Sequence, residues 1–485
     1  MASSERSIGQ IAEESPSPRE GTLGVSRIVF LVLAAATPLG AVVGAMALGF
    51  ALGSGAGMPG AYVLSGLVLL CFAAGYAAMS QHVTRGGAFY TYITRGLGRP
   101  AGLAAASIAV LAYNAIFCSV LGAAAFFISK VGEEGAGWKS PWQLWAVVLL
   151  VVVGALGRRE VDFNAKILGT LLSLEVAILI MMDIGILAHR GLAAFSLRCF
   201  EPSLVFSGAA GAGLVFAFNC FIGFEATAIF GEEAKDPART VPRATYASVC
   251  IIGVFYALTA WSLVSAYGVD QVHAVAANDP GMFVLNAAST FVGGPAAAAM
   301  GILLVTSLFA ALLATHTATA RYFFVLGREG LLPRALGRTH PRWGSPHTAS
   351  SVQVGLAAVV VLPFALSGAD PLLTLSTSTG GIGTLGIIAL QAAAAFSVVA
   401  FFRKRGDARW LTTFAAPSVG GVGLSAAMFL IVNNYSVLTG STSRAINELP
   451  WLLVVAGLAG FGYALWLRRA RPEVYFGGST TEGAS

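Results

Sequence analysis

The chain has 485 residues, 56% of them hydrophobic and only 11% charged, against roughly 25% charged in a soluble domain. No soluble fold of this length could bury so much apolar surface, so lipid must solvate the outer faces of its helices. The net charge of +6, which in a soluble protein would point to nucleic acid, reads here as basic loops that hold a membrane topology.

Residues 1–24 are polar, mixed in charge and without a short apolar region ahead of a cleavage site. They read as a disordered cytoplasmic tail rather than a signal peptide. From there on, apolar runs of about 20 residues, enough to cross a bilayer, follow one another. The predicted spans are 25–52, 60–81, 101–128, 142–157, 165–188, 204–231, 244–268, 292–323, 348–367, 380–402, 412–438 and 449–468, with a cytoplasmic tail at 472–485. The stretch 270–290 is shorter and mixed, and reads as a surface helix pair. Glycine is abundant, as expected where helices must approach without a hydrophobic driving force between them. The five cysteines are scattered; Cys71, Cys118, Cys220 and Cys250 fall in apolar runs and Cys199 stands alone, so they imply no disulfide framework.

Twelve spans put the N-terminus, every second loop and the C-terminus on one side. Of the 29 Lys and Arg residues, only Lys130, Lys139, Arg190, Arg198 and Arg444 then fall on the other side. Basic loops stay cytoplasmic, so both termini are predicted inside, in a single transporter domain over 25–471.

Two spans carry the signature of interrupted helices. The first reads ATPLGAVVGAMALGFALG, with Pro38, Gly40, Gly44 and Gly49; the sixth reads GAAGAGLVFAFNCFIGFEATAIFGEE, with Gly208, Gly211, Gly213, Gly223, Gly231 and an internal glutamate. Paired interruptions in two halves point to a midplane site in a secondary transporter. A repeat of five plus five spans, about 25–188 and 204–402, places spans 1 and 6 in equivalent positions, and the odd offset makes the repeats inverted. Spans 11 and 12 (412–468) are then peripheral. A half-helix N-terminus suits a carboxylate, and unwound carbonyls suit an ammonium or a cation.

Four stretches carry a resemblance: GAVVGAM (40–46), RGGAFYTYITRGLGRPAG (85–102), GFEATAIFGEEAKDPARTVPRA (223–244) and ARYFFVLGREGLLPRALG (320–337). In order and spacing the chain resembles the amino acid–polyamine–organocation superfamily of permeases, from about Gly24 to Arg471. The resemblance implies an all-α membrane transporter with substrate between spans 1, 3, 6, 8 and 10, and places 85–102 in the loop between spans 2 and 3. It departs from the family at Gly44-Ala45-Met46, where Gly-Ser-Gly is common and where Met46 is expected to intrude on the pocket. It departs again at Glu175, which aligns with a lysine of some proton-coupled members.

Candidate substrate contacts are Gly40, Val43, Gly44, Ala45, Met46, Tyr113, Asn114, Phe221, Ile222, Gly223 and Phe224. An ionisable side chain in a spanning segment costs roughly 3 kcal/mol or more, which makes it a functional candidate by default. Glu225, just past Gly223-Phe224, is the first choice for a carboxyl protonated and released in each cycle, against the alternative of a glutamate satisfied by local N–H groups. Glu175, in LLSLEVAILIMMD, is the second candidate for proton coupling, with a helix–helix hydrogen bond as its alternative. Asp183 is expected to reach water near the outer end, and His316 to pack or gate. Thr306 and Ser307 offer oxygens for sodium, the alternative to protons.

The scattered histidines provide no paired metal-ligand spacing, and no nucleophile–base cluster or repeated pore ring suggests an enzyme or a channel. No cofactor or metal is expected. The expectation is a secondary permease for amino acids or related amines in a bacterial inner membrane, moving a small molecule with protons. Amine transport, exchange, sodium coupling and sensing without transport are the alternatives.

Overall fold

The structure is a computed structural model that describes residues 23–83, 88–159, 165–229, 234–406 and 409–476. Both expected tails lie outside the described residues, save 23–24 and 472–476, as do Arg85 and residues 230–233 within the motifs above. Ten described helices are long and apolar enough to cross a membrane, and a bent pair is an eleventh if counted as one span. Among the described residues the regular structure is helical, and ten or eleven of the twelve expected spans meet these criteria.

The first span is the bent pair α1 (Val25–Ala35) and α2 (Pro38–Leu52), which meet at 41°. Proline disfavours helical geometry in the residue before it, and Thr37 accordingly sits at φ +42°, ψ 71°. Beyond the break, Ala41–Met46 winds more widely than an α-helix. Next come α3 (Met58–Ser80), α4 (Ala88–Leu97), α5 (Arg99–Ala136), α6 (Trp142–Arg159) and α7 (Ala165–Arg190). The stretch read as a loop between spans 2 and 3 therefore contains α4, whose apolar Phe89, Tyr92 and Ile93 are buried. That periodicity was masked by its glycines and arginines.

The expected sixth span, 204–231, is divided. Helix α8 (Ala210–Asn219) ends in a run of turns, and the short α9 (Ala226–Ile229) resumes it. Each piece alone is too short to cross a bilayer. Gly223 in the interruption has φ +114°, a conformation that excludes a β-carbon in practice. A β-carbon there would also lie within 3.9 Å of Ala35 and Ala36, so the two interruptions face each other.

Helix α10 (Pro237–Tyr267) starts well before the expected 244 because Pro242 lies early in the helix. The carbonyl that Pro242 cannot bond, Ala238 O, accepts from Gln81 Nε2 at 3.0 Å. Helices α11 (Val272–Asn278) and α12 (Phe283–Phe291) form the expected helix pair, and each buries one face. Val272, Ala276, Phe283, Val284 and Ala287 are buried, His273 Nδ1 lies 2.9 Å from Phe50 O, and the Phe50 and Phe283 rings are 5.3 Å apart. The pair is packed against α2.

Then follow α13 (Gly294–Arg328), α14 (His347–Leu366), α15 (Pro371–Arg405), α16 (Leu411–Asn433) and α17 (Trp451–Ala470), with a short α18 (Pro472–Phe476). Helix α15 begins nine residues before the expected 380. Asp370 caps it, Oδ1 accepting from Leu372 N at 2.8 Å and Leu373 N at 2.6 Å, and Pro371 occupies the first turn, where its missing N–H does no harm. Helices α3 and α15 are the most enclosed and α6 and α17 among the most lipid-facing, so α1–α2, α5, α8, α13 and α15 surround the centre.

Gly223→Ala tests the interruption. Forcing a β-carbon into this backbone should cost about 1–3 kcal/mol, read as a lower melting temperature in detergent, whereas Gly355→Ala, with nothing within 4 Å, should leave it unchanged.

Candidate functional site

A cavity of about 150 Å³ lies where the two interruptions meet. Its walls come from Ala35–Thr37, Gly40 and Gly44 at the first break, Ile116, Ser119 and Val120 of α5, and Val215, Phe216, Asn219 and Ile222 around the second break. Leu308, Ala311 and Thr315 of α13 and Leu372, Ser376 and Gly380 of α15 complete them. No charged side chain lines it. What it offers is a mostly aliphatic wall, a few neutral polar groups, and helix ends.

Those polar groups are held by their neighbours. Asn219 Nδ2 donates to Thr384 Oγ1 at 2.8 Å, so the amide has its oxygen left as an acceptor. Ser119 Oγ donates to Ser376 O at 2.8 Å and lies 3.0 Å from Ser376 Oγ, joining α5 to the widened first turns of α15. The positive N-terminal end of α2 and the negative C-terminal end of α8 both border the space.

The two in-membrane glutamates lie just behind the cavity wall, one at each break. Glu175 of α7 is 5% exposed; its Oε2 accepts from Ser307 Oγ at 2.8 Å and from Leu39 N, in the first turn of α2, at 3.4 Å. Gly40 separates this pair from the cavity, its β-position 3.7 Å from Ser307 Oγ. Glu225 is 4% exposed; its Oε2 accepts from Gly223 N at 2.9 Å, its backbone carbonyl accepts from Tyr76 Oη at 3.0 Å, and the Tyr113 hydroxyl is within reach of its carboxyl. Beside it lies a layer of packed aromatic rings that do not line the cavity: Phe72 against Phe224 at 6.0 Å, Tyr76 against Tyr92 at 4.9 Å, and Tyr113 against Tyr322 at 5.9 Å.

Of the expected contacts, Gly40, Gly44, Ala45 and Ile222 line the cavity. Val43, Met46, Phe221 and Phe224 do not; all are buried in packing. Met46 is fully buried and does not intrude on the space. Phe221 fits a slot made by two glycines, its ring tip 3.5 Å from the β-position of Gly66 and 3.4 Å from that of Gly253. Gly223 meets the first break, and Tyr113 lies beside Glu225. Asn114 Nδ2 bonds its own helix at Val110 O, 2.8 Å away.

Thr37, Ser119, Asn219 and Ser376 were not singled out by sequence. Asn219 had a visible signal, a lone amide in an apolar run one turn before the break. Ser376 lay outside the predicted span.

Other polar residues are accounted for by packing. Asp183 does not reach water as expected: its Oδ2 accepts from Thr259 Oγ1 of α10 at 2.9 Å. His316 ties α13 to α14, with Nδ1 2.5 Å from Gln353 Oε1 and Nε2 2.9 Å from Ser350 Oγ. Thr306 Oγ1 donates to Leu303 O of its own helix at 2.8 Å. Among the described residues no group of three or more His, Cys, Asp or Glu could hold a metal.

Away from the cavity, Tyr90 Oη donates to Glu329 Oε2 at 3.4 Å. Burial, then the Glu329 charge, pushes the Tyr90 hydroxyl up to about 12, so it remains a donor throughout the physiological range.

A helical membrane protein with two opposed helix breaks around a cavity has the form of a secondary transporter, and the comparisons agree. The family described as amino acid permease matches residues 23–461, and the chain belongs to that family. Its relatives include the low-affinity putrescine importer PlaP of Escherichia coli K12, 24% identical over 65% of this chain and 69% of PlaP. The branched-chain amino acid permease BcaP of Lactococcus lactis is 28% identical over 60% of this chain and 64% of BcaP. The serine/threonine exchanger SteT of Bacillus subtilis is 22% identical over 82% and 86%. Among solved structures, MhsT in complex with L-phenylalanine matches with a TM-score of 0.57 and 16% identity over 85% of this chain and all of MhsT; that likeness concerns the fold. The chain is a permease of this superfamily, not an enzyme.

Asn219→Leu places an aliphatic branch where the cavity has an acceptor. It should weaken substrate-induced thermal stabilisation at least about tenfold in apparent affinity, in line with the loss of a hydrogen bond to a charged group. Met46→Leu, away from the cavity, should change it by less than about twofold.

Proposed function

We propose that this permease imports zwitterionic amino acids with apolar side chains, driven by protons, across a bacterial inner membrane with both termini cytoplasmic. The observation that carries the substrate reading is a cavity without a charged side chain, bordered by helix ends of opposite polarity. The N-terminal end of α2 suits a carboxylate, and the C-terminal end of α8 with the Asn219 oxygen suits an ammonium. Leu48, Ile116, Val120, Leu308 and Leu372 then favour an aliphatic or small aromatic side chain. The names of BcaP and of MhsT's ligand agree with this chemistry. A diamine, as the PlaP name suggests, needs anionic partners at both ends, and Glu175 and Glu225 both stand behind the wall. The inverted repeat, about 25–188 and 204–402, is part of the same reading.

Glu175 and Glu225 are the proposed proton carriers. An ionised Glu175 accepts from the first turn of α2 and from α13 at once, so it holds the break of the first span against its surroundings. Protonation removes the charge that favours this contact and lets α1–α2 move relative to α13. Glu225 plays the matching part at the second break, where it accepts from Gly223 N–H. Sodium is the second reading, and the Thr306 bond to its own helix weighs against it.

The deciding experiment is uptake into liposomes of single amino acids and of diamines, with and without an inward proton gradient and with sodium replaced by choline. Uptake of leucine-like substrates that rises as external pH falls from 8 to 6, without need of sodium, is the expected result. Putrescine uptake in preference to amino acids would overturn the substrate reading.

Glu175→Gln should flatten the pH profile and abolish accumulation against a gradient, while counterflow exchange at equal pH persists. Glu225→Gln should do the same if both carboxyls carry protons. A variant that keeps the full pH dependence has lost no coupling residue.

A further inference from the structure

The C-terminal end of α6 meets the loop that leads into α14, and cations gather there. Gly157 keys the two helices together, its β-position 3.0 Å from Ser350 Oγ. Arg158 then donates from Nε and Nη2 to Ser351 Oγ of α14 at 3.1 and 3.0 Å, and its carbonyl accepts from Ser345 Oγ. The loop is closed on itself: His340 N donates to Ser345 O at 2.8 Å and Gly344 N to His340 O at 2.9 Å, with Gly344 at φ +69°. Arg342 N donates to His340 Nδ1 at 3.1 Å, which leaves the Nε2–H of that ring as a donor. Trp343, 39% exposed, sits at the centre. His340 stacks on it with centroids 4.2 Å apart, and the guanidinium carbons of Arg159 and Arg342 lie 5.8 and 6.0 Å from its centroid.

Among the described residues neither of these guanidinium groups, nor that of Arg158, pairs with a carboxylate. The rule that keeps basic loops on one side of a membrane accounts for positive residues here but not for their convergence, since like charges repel. An exposed cation–π contact offsets little of that repulsion, and His340 already covers one face of the indole. We propose that Arg159, Arg342 and Trp343 form a binding site for a phosphate group, carried on the headgroup of an anionic phospholipid or free in solution. Guanidinium forks match phosphate oxygens and bind them through charge-assisted hydrogen bonds. The His340 Nε2–H is a further donor beside them, and an exposed tryptophan at the end of a spanning helix suits the headgroup level of a bilayer. The closed loop holds these groups in place before an anion arrives, so binding has little ordering cost left to meet. The site shares no residue with the cavity and does not depend on what the permease carries.

The test is thermal stabilisation of the full chain in detergent. It is titrated with dioleoyl phosphatidylglycerol, with dioleoyl phosphatidylcholine, and with inorganic phosphate against sodium chloride at matched ionic strength. Saturable stabilisation by phosphatidylglycerol beyond that by phosphatidylcholine assigns the site to a lipid headgroup, and saturable stabilisation by inorganic phosphate assigns it to a free anion. In either case Arg159→Gln with Arg342→Gln should raise the half-saturating concentration at least about tenfold, as the loss of charge-assisted hydrogen bonds implies. Lys130→Gln with Arg198→Gln removes the same charge from the other side of the membrane and should change it less than about twofold, because distant exposed charges are screened. The proposal is overturned if neither anion stabilises the parent beyond its control, or if the arginine variant responds as the parent does. Equal weakening in the two double variants overturns it as well, since attraction by net charge alone would then suffice. Should the arginine pair variant not fold, Arg342→Gln alone decides, weaker binding supporting the site and unchanged binding overturning it. No substrate enters the measurement, so failure of the substrate assignment shows only in liposome uptake.

Discussion

A backbone amide or carbonyl inside a bilayer must have a partner, because the lipid has none to give. Two helices here stop obeying that rule by themselves, at Thr37 and at Gly223, and the arrangement of the rest follows from where their freed groups go. Leu39 N–H goes to Glu175, Gly223 N–H to Glu225, and the Glu225 carbonyl to Tyr76. The remaining helix ends border a cavity lined by neighbouring helices. The breaks cannot be separated from the carboxylates: each charge sits where the interrupted backbone supplies a donor, and each interruption is tolerated where a carboxylate supplies an acceptor.

This pairing changes the weight of the two glutamates. Position in the sequence favoured Glu225, next to the second break. In the structure both are bound by local N–H groups, and Glu175 also reaches across to Ser307 on a third element. A carboxylate joining α7, α2 and α13 can change how these helices sit when its charge changes, whereas Glu225 acts chiefly on its own turn and on the aromatic layer beside it. If the proposed proton coupling holds, Glu175 is thus the better placed of the two to transmit protonation to helix positions, and Glu225 to the aromatic rings beside it.

How much was legible in sequence follows from how local each feature is. Hydropathy located the long spans because lipid solvation acts on every residue of a run, and Pro38 and Gly223 marked the breaks because their backbone chemistry is local. Span ends were missed where a proline or a polar cap interrupted the apolar count, at Pro242 and at Asp370-Pro371. The cavity lining was only partly legible. Glycines at the first break line it as the pattern suggested, but Phe221 and Met46 look the same in sequence whether they face a cavity or a slot between glycines on other helices. That distinction depends on Gly66 and Gly253, far away in the chain.

The absence of charge in the cavity separates the proposed substrate site from the proposed proton carriers. If Glu175 or Glu225 lined the space, an ammonium would neutralise it directly, and substrate and proton would compete for one acceptor. With the carboxylates one layer back, the proposed reading holds the substrate by helix ends and neutral groups and the proton at the breaks, separated by little more than Gly40 on one side and the turn at Gly223 on the other. A β-carbon at position 40 would press on Leu308 at 3.2 Å and reach van der Waals contact with Ser307. On that proposal the small residues at the breaks let two binding events occur within one side chain's width of each other without sharing a ligand, which is the condition for their free energies to couple through helix movement.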